Sequence, residues 1–180
     1  MQPGLLLDAD ATVVMRGLSL FSTIIGTSVP LYFTGFIYHH ELRSLRDLET
    51  LRERGRITIH DVRLRTPEND VRRSLERDAG VDKGEAEAMA WLWAEEERTN
   101  EIWFVTLDRR ARAVAAARGL NTANVAETAA LLVLWEVIGV ADARNHLLVW
   151  DHRRHQAGRP KDWTTFDDRF PSVLAKLRDL

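Results

Sequence analysis

The chain has 180 residues, 45% apolar and 29% charged, as expected for one globular domain with a sizeable core and a short appendage. A net charge of −2 excludes a surface coated in positive charge, and the absence of cysteine excludes disulfides and thiolate-held metals. The first residues carry no basic leader pattern and no apolar run is long enough to span a bilayer, so a cytoplasmic protein without a membrane segment is expected.

Gly4 to Asp8 reads as a short buried strand, and Ala11 to Ile25 as the helix that follows. Pro30 to Thr34 forms a second short strand. From Gly35 to Arg54, Phe36, Ile37, Leu42, Leu45, Leu48 and Leu51 recur at three- to four-residue steps, a helical pattern that Gly55 stops. Arg56 to Val62 alternates like a strand with one exposed face. Thr66-Pro67-Glu68 starts a helix that ends near Gly80, and Asp82 caps a longer one from Lys83 to about Arg98. Glu101 to Leu107 is the clearest buried strand. Asp108 to Arg118 is a helix closed by Gly119, Asn121 to Val125 holds a short strand, and Ala126 to Ile138 is a strongly apolar helix. Strand and helix patterns alternate, which predicts an α/β fold with a mainly parallel sheet.

Beyond Gly139 the character changes, so residues 1–139 are expected to form the main domain and 140–180 a C-terminal helical extension. Ala141 to Ala157 is helical and rich in Arg and His (Arg144, His146, His152, Arg153, Arg154, His155), and a Gly158-Arg159-Pro160 break leads to an aromatic-acidic stretch from Trp163 to Phe170. These His residues make no metal-ligand set; the stretch reads as a solvated helix, a subunit contact or a basic face for RNA. Lysine occurs only at 83, 161 and 176, so the basic character is carried by arginine, which suits phosphate recognition but equally reflects GC-rich coding, and the excess alone decides nothing.

Four acids stand in places where acids are unusual. Asp8 and Asp108 each end an apolar run, Glu41 lies inside a helical pattern and Glu85 opens one. Each has a plain structural explanation as a helix cap, a first-turn charge or a surface residue. If the two runs are neighbouring parallel strands, however, their carboxyl ends share the edge at which open α/β sheets keep ligands. Carboxylates gathered there call for a hard divalent cation, Mg²⁺ or Mn²⁺, bound through oxygen as one ion or two. That chemistry is metal-assisted phosphodiester hydrolysis and needs no Ser, Cys or His nucleophile.

Leu5-Leu6-Leu7-Asp8, Tyr38-His39-His40-Glu41-Leu42, Gly84-Glu85-Ala86-Glu87-Ala88-Met89-Ala90 and Val105-Thr106-Leu107-Asp108-Arg109-Arg110-Ala111-Arg112, in that order across roughly residues 4 to 138, resemble a PIN domain, in particular the subgroup related to VapC-type toxins. The resemblance implies a three-layer α/β/α fold and a Mg²⁺- or Mn²⁺-dependent ribonuclease, often the toxin paired with an antitoxin protein and often a homodimer. Carried over by position, Asp8, Glu41, Glu85 and Asp108 are its acidic metal-site and catalytic residues. Asp10 stands where the family usually has a small hydroxyl residue, and Glu87 is a further acid roughly 200° around the helix from Glu85, so the two cannot face one ion equally. Glu85 is preferred because it follows Gly84 at the helix start. Glu127-Thr128-Ala129-Ala130 replaces the family's Gly-Thr-x-Gly and lacks both glycines. Arg109, Arg110 and Arg112 follow the last acid and are candidates for RNA phosphate contacts.

Two other functions fit part of the pattern. Asp8-Ala9-Asp10-Ala11-Thr12 resembles the first motif of haloacid-dehalogenase-type phosphatases, with Asp8 as nucleophile, Asp10 as acid/base and Thr106 at a strand end imitating the second motif, but no lysine lies between Lys83 and Lys161 and Asp167-Asp168 follows no strand pattern. A PIN-like fold acting as a catalytically silent binding module is the other.

Overall fold

The computed structural model describes residues 3–152 and 157–179. The chain forms two compact units, Met1–Asp10 with Val29–Thr122 and Ala11–Ser28 with Ala123–Leu180. In chain order the elements are β1 (Gly4–Leu7), α1 (Ala9–Gly17), α2 (Leu20–Ile25), β2 (Leu31–Thr34), a π-helical turn (Ile37–Glu41), α3 (Asp47–Glu53), β3 (Thr58–His60), α4 (Pro67–Ser74), a second π-helical turn (Leu75–Ala79), α5 (Lys83–Trp93), α6 (Glu96–Glu101), β4 (Ile102–Val105), α7 (Arg109–Ala116), β5 (Thr122–Ala123), α8 (Val125–Leu134), α9 (Val140–Leu147), a 3₁₀ turn (Leu148–Asp151) and α10 (Phe166–Arg178).

The fold class is α/β, with a five-stranded parallel sheet in the order β3-β2-β1-β4-β5. β1 is central: Leu5 and Leu6 pair with Leu31 and Tyr32 on one side, and Leu5, Leu6 and Leu7 pair with Trp103, Phe104 and Val105 on the other. Its Gly-Leu-Leu-Leu sequence is a continuous apolar run because both faces are covered and all four residues are buried. The chain leaves β1 toward β2 and β3, then returns to β4 on the opposite side. The strand order therefore reverses between β1 and β4, and the crevice beyond their carboxyl ends is a ligand position in sheets of this kind.

In the first unit α5 covers one face of this sheet. Its residues from Gly84 to Leu92 are all buried, which a helix surrounded by protein requires. Trp91 packs beside Tyr32 of β2, with ring centroids 5.5 Å apart, and stacks on His60 of β3 at 4.3 Å.

The second unit is helical. Asn124 and Glu127 form a reciprocal capping box at the start of α8, and Thr128 Oγ1 donates to the Asn124 carbonyl, so Glu127-Thr128-Ala129-Ala130 is regular buried helix. His146 is held on both ring nitrogens, Nδ1 lying 2.9 Å from the Leu18 carbonyl and Nε2 3.1 Å from Thr23 Oγ1. Trp150, Trp163, Phe166 and Phe170 form a buried aromatic cluster, with Asp151 accepting from Trp163 Nε1 and from the Phe166 N–H. Arg153, Arg154 and His155 of the expected basic helix lie outside the described residues. No helix among the described residues is long and apolar enough to cross a membrane.

Several expected helices are broken where tertiary bonds replace local ones. The Ala11–Ile25 helix is two helices separated at Ser19, whose φ of 59° is left-handed. The continuous helix expected from 35 to 54 is a π-helical turn, closed by the Leu42 N–H on the Ile37 carbonyl, and then α3. The helix expected from Lys83 to Arg98 stops at Trp93, because Arg98 Nη1 and Thr99 Oγ1 from α6 take the carbonyls of Trp91 and Leu92. The helix expected to reach Ile138 ends at Leu134, with Glu136 left-handed at φ 58°. Asp82 makes no side-chain cap bond to α5.

Candidate metal centre

β1 and β4 place their acids side by side. Extending the register by one residue sets Asp8 opposite Thr106, and the Asp8 N–H donates to the Val105 carbonyl at 3.0 Å. Side chains alternate along a strand, so Asp8, Thr106 and Thr34 share the sheet face that carries Leu6, Phe104 and Tyr32. This is the face under α5. Asp8 and Glu85 are 8% and 7% exposed, so both are acids in a largely dry place.

Thr106 joins them. Its Oγ1 lies 3.0 Å from Asp8 Oδ2, 3.2 Å from Glu85 Oε1 and 3.1 Å from the backbone N of Asp108. A hydroxyl has one proton to give and two lone pairs to accept with. Thr106 therefore donates to one carboxylate while the Asp108 N–H occupies one lone pair, and the second carboxyl completes the set when it carries a proton. The electrostatics favour a protonated Glu85. Burial, then Asp8 and Asp108, push its carboxyl up to about 8 from an ordinary 4.5. Asp8 is pushed up to about 6 from 3.8, mainly by burial, with Asp10 and Asp108 adding to it and the Ala9 N–H and Thr106 opposing it.

Glu41 comes to the same place from the π-helical turn. A Cβ at Gly84 would stand 2.7 Å from Glu41 Oε1 and 3.0 Å from Ile37 Cγ1, so a side chain at residue 84 would displace the Glu41 carboxylate and crowd Ile37. Burial raises the Glu41 carboxyl, and Asp8, Asp10, Asp82 and Glu87 raise it further. Asp108 sits at the exposed head of α7, its Oδ1 accepting from the Ala111 N–H at 2.8 Å. The helix cap and the site acid are thus one residue.

All four acids singled out in the sequence share one field in the first unit, and Asp10 and Glu87 act within it. Glu87 has a different immediate partner: its Oε2 accepts the Phe36 N–H at 2.7 Å, at the entry to the turn that carries Glu41. Two residues apart on one helix, Glu85 faces Thr106 and Glu87 faces Phe36, as the helical angle requires. Arg109 and Arg110 are exposed at the start of α7, with the Arg110 guanidinium lying over Gly80, and Arg112 is half-buried. Sequence reading missed Thr106 as the link between two carboxyls, Asp82 as a contributor to the field, and Thr34. Thr34 lies next to Asp8 in the row, and its buried hydroxyl has no hydrogen-bond partner among the described residues. In sequence each looked like an ordinary strand residue or a cap.

Among the described residues no three acidic or histidine side chains already close on a point at which they would grip a metal ion together. The donor chemistry nonetheless fits a hard divalent cation: carboxylate oxygens, two hydroxyls and no sulfur. Acids that burial, and then mutual repulsion, push toward holding protons are acids that a cation would stabilise in the charged form. No protein-family model, curated protein or solved structure matches the chain.

Proposed function

We propose that this protein is a metal-dependent endoribonuclease with a PIN-like three-layer α/β/α domain, hydrolysing phosphodiester bonds in single-stranded or looped RNA with Mg²⁺ or Mn²⁺. The observation that carries the proposal is the Asp8–Thr106–Glu85 link at the strand-order reversal, with Asp108 and Glu41 in the same electrostatic field. Asp8, Glu41, Glu85 and Asp108 would hold the cation. Bound there, it would supply a hydroxide near neutral pH and stabilise the charge that develops on the phosphate. The chain's own part is to orient: Thr106 fixes the rotation of the Asp8 and Glu85 carboxyls, and α7 fixes Asp108 through Ala111. The exposed acids Asp10 and Asp82 raise the negative potential around the cleft and favour cation entry.

The test is cleavage of a labelled RNA by purified protein with Mn²⁺, beside Asp8→Ala and Asp108→Ala, with a generic phosphomonoester as parallel substrate. Loss of cleavage in both variants is expected. Equal cleavage by all three proteins overturns the proposal, and turnover of the phosphomonoester alone would indicate a phosphatase.

A further inference from the structure

The first turn of α5 touches the turn carrying Glu41 at three points. Gly84 makes room for the Glu41 carboxylate, Glu87 accepts the Phe36 N–H, and the Lys83 ammonium lies 4.4 Å from the centroid of the Phe36 ring. His40 also packs on that ring, with centroids 4.8 Å apart and planes 30° from parallel. Lys83 and His40 are both exposed. Among the described residues no carboxylate pairs with the Lys83 ammonium, although the neighbouring acids lie on the same turns. The ring places the cation while leaving its charge available, since a cation over an aromatic face keeps its outer hydrogen-bond donors.

We infer that Lys83 is a substrate-strand contact: it binds a backbone phosphate next to the one undergoing hydrolysis, with the Phe36 ring, itself packed against His40, holding it in place. The inference rests on the ribonuclease reading above and names the residue that offsets the site's own repulsion of a polyanion. Seven acids contribute to the field of the site, and a nucleic acid strand approaching it needs a fixed positive contact close by. Lys83 is one residue from the Gly84–Glu41 contact and two from Glu85, which puts its ammonium at the rim.

The test measures binding of a fluorescent single-stranded oligoribonucleotide by full-length Asp8→Asn protein, in which hydrolysis is blocked, with and without Lys83→Gln, over a salt series. Wild-type cleavage is measured separately. Lys83→Gln should weaken binding by about 3- to 10-fold and reduce the slope of log affinity against log salt by roughly 0.7, the value for one single-strand phosphate contact. Lys83→Arg should restore the slope, Phe36→Leu should weaken binding with the charge intact, and a deoxyribonucleotide strand should show the same Lys83 dependence. Unchanged affinity and slope in Lys83→Gln overturn the inference, and so does an Asp8→Asn protein that does not bind the strand. Either result leaves the ribonuclease reading to the cleavage assay.

Discussion

Replacing Glu85 with glutamine should stabilise the metal-free protein above neutral pH, the reverse of what removing a favourable ion-pair partner does. Burial and the charges of Asp8 and Asp108 hold the Glu85 carboxyl at about 8 against an ordinary 4.5, so the native fold keeps a proton that the unfolded chain has released. For an acid raised in this direction, the stabilisation is fully present below pH 4.5 and is lost as pH climbs through 8. At ~1.4 kcal/mol per pH unit across that window the ceiling is about 5 kcal/mol. Solvent screening and repulsion shared with Asp8 bring the working figure to about 2 kcal/mol. Asp8, raised to about 6 from 3.8, acts with the same sign over a narrower range. Glutamine keeps the volume and can still bond Thr106, but has no charge to desolvate. Thermal unfolding in EDTA reads the effect, since 2 kcal/mol corresponds to roughly 4–8 °C in a chain of this size. The variant should match wild type near pH 5 and exceed it by that margin near pH 8. Saturating Mn²⁺ should raise the wild-type Tm near pH 8 far more than the variant's, because binding to the folded state alone stabilises it. A variant less stable than wild type by the same amount at both pH values would refute the reasoning.

Two further substitutions separate architecture from chemistry. Asp108→Asn keeps an acceptor for the Ala111 N–H and should melt like wild type in urea, whereas Asp108→Ala should lose about 1 kcal/mol with the cap. Both should lose RNA cleavage by at least the ~100-fold that outer partners of metal sites cost, and wild-type activity in Asp108→Asn would remove Asp108 from the site. Gly84→Ala pushes a methyl to 2.7 Å from Glu41 Oε1, and the flexible carboxylate yields before the backbone does. Its Tm should barely change, since alanine recovers roughly 0.5–1 kcal/mol of helix preference, while cleavage falls about tenfold or more. Full activity in Gly84→Ala would show that the position of Glu41 does not matter.

Much of the site was legible because it follows strand ends. Asp8 and Asp108 each close an apolar run, and the pairing of β1 with β4 brings those ends together. Helical geometry alone sets Glu85 and Glu87 on different sides of α5, whereas the preference for Glu85 rests on its place after Gly84 at the helix start. Thr106 could not, since a threonine in a strand is expected for its β-branched shape, and only the register shows what its hydroxyl meets. The turn at Ile37–Glu41 was hidden for a related reason. The leucine spacing through Leu51 is helical, but the Phe36 N–H is taken by Glu87 from a helix more than forty residues later in the chain. The end of α5 at Trp93 has no glycine or proline to announce it either, because the terminating groups are the side chains of Arg98 and Thr99.

The acids divide by what already holds them, and this bears on which of them an ion would meet. Glu87 is buried and accepts a backbone N–H whose loss would leave a polar group unsatisfied, so taking it as a ligand carries a cost of about 1–3 kcal/mol. Asp10 and Glu41 are exposed with carboxylates that can reorient, and Asp108 is exposed too but already holds the Ala111 N–H through Oδ1. Asp8 and Glu85 lie between these cases: buried, yet bonded to a hydroxyl that can rotate to follow either carboxylate. In the proposed site a cation would be held by Asp8, Glu41, Glu85 and Asp108, with the Thr106 hydroxyl orienting Asp8 and Glu85. Glu87, held on the Phe36 N–H, would support the turn carrying Glu41 rather than serve as a ligand, so a second carboxylate two residues after Glu85 would not compete for the ion.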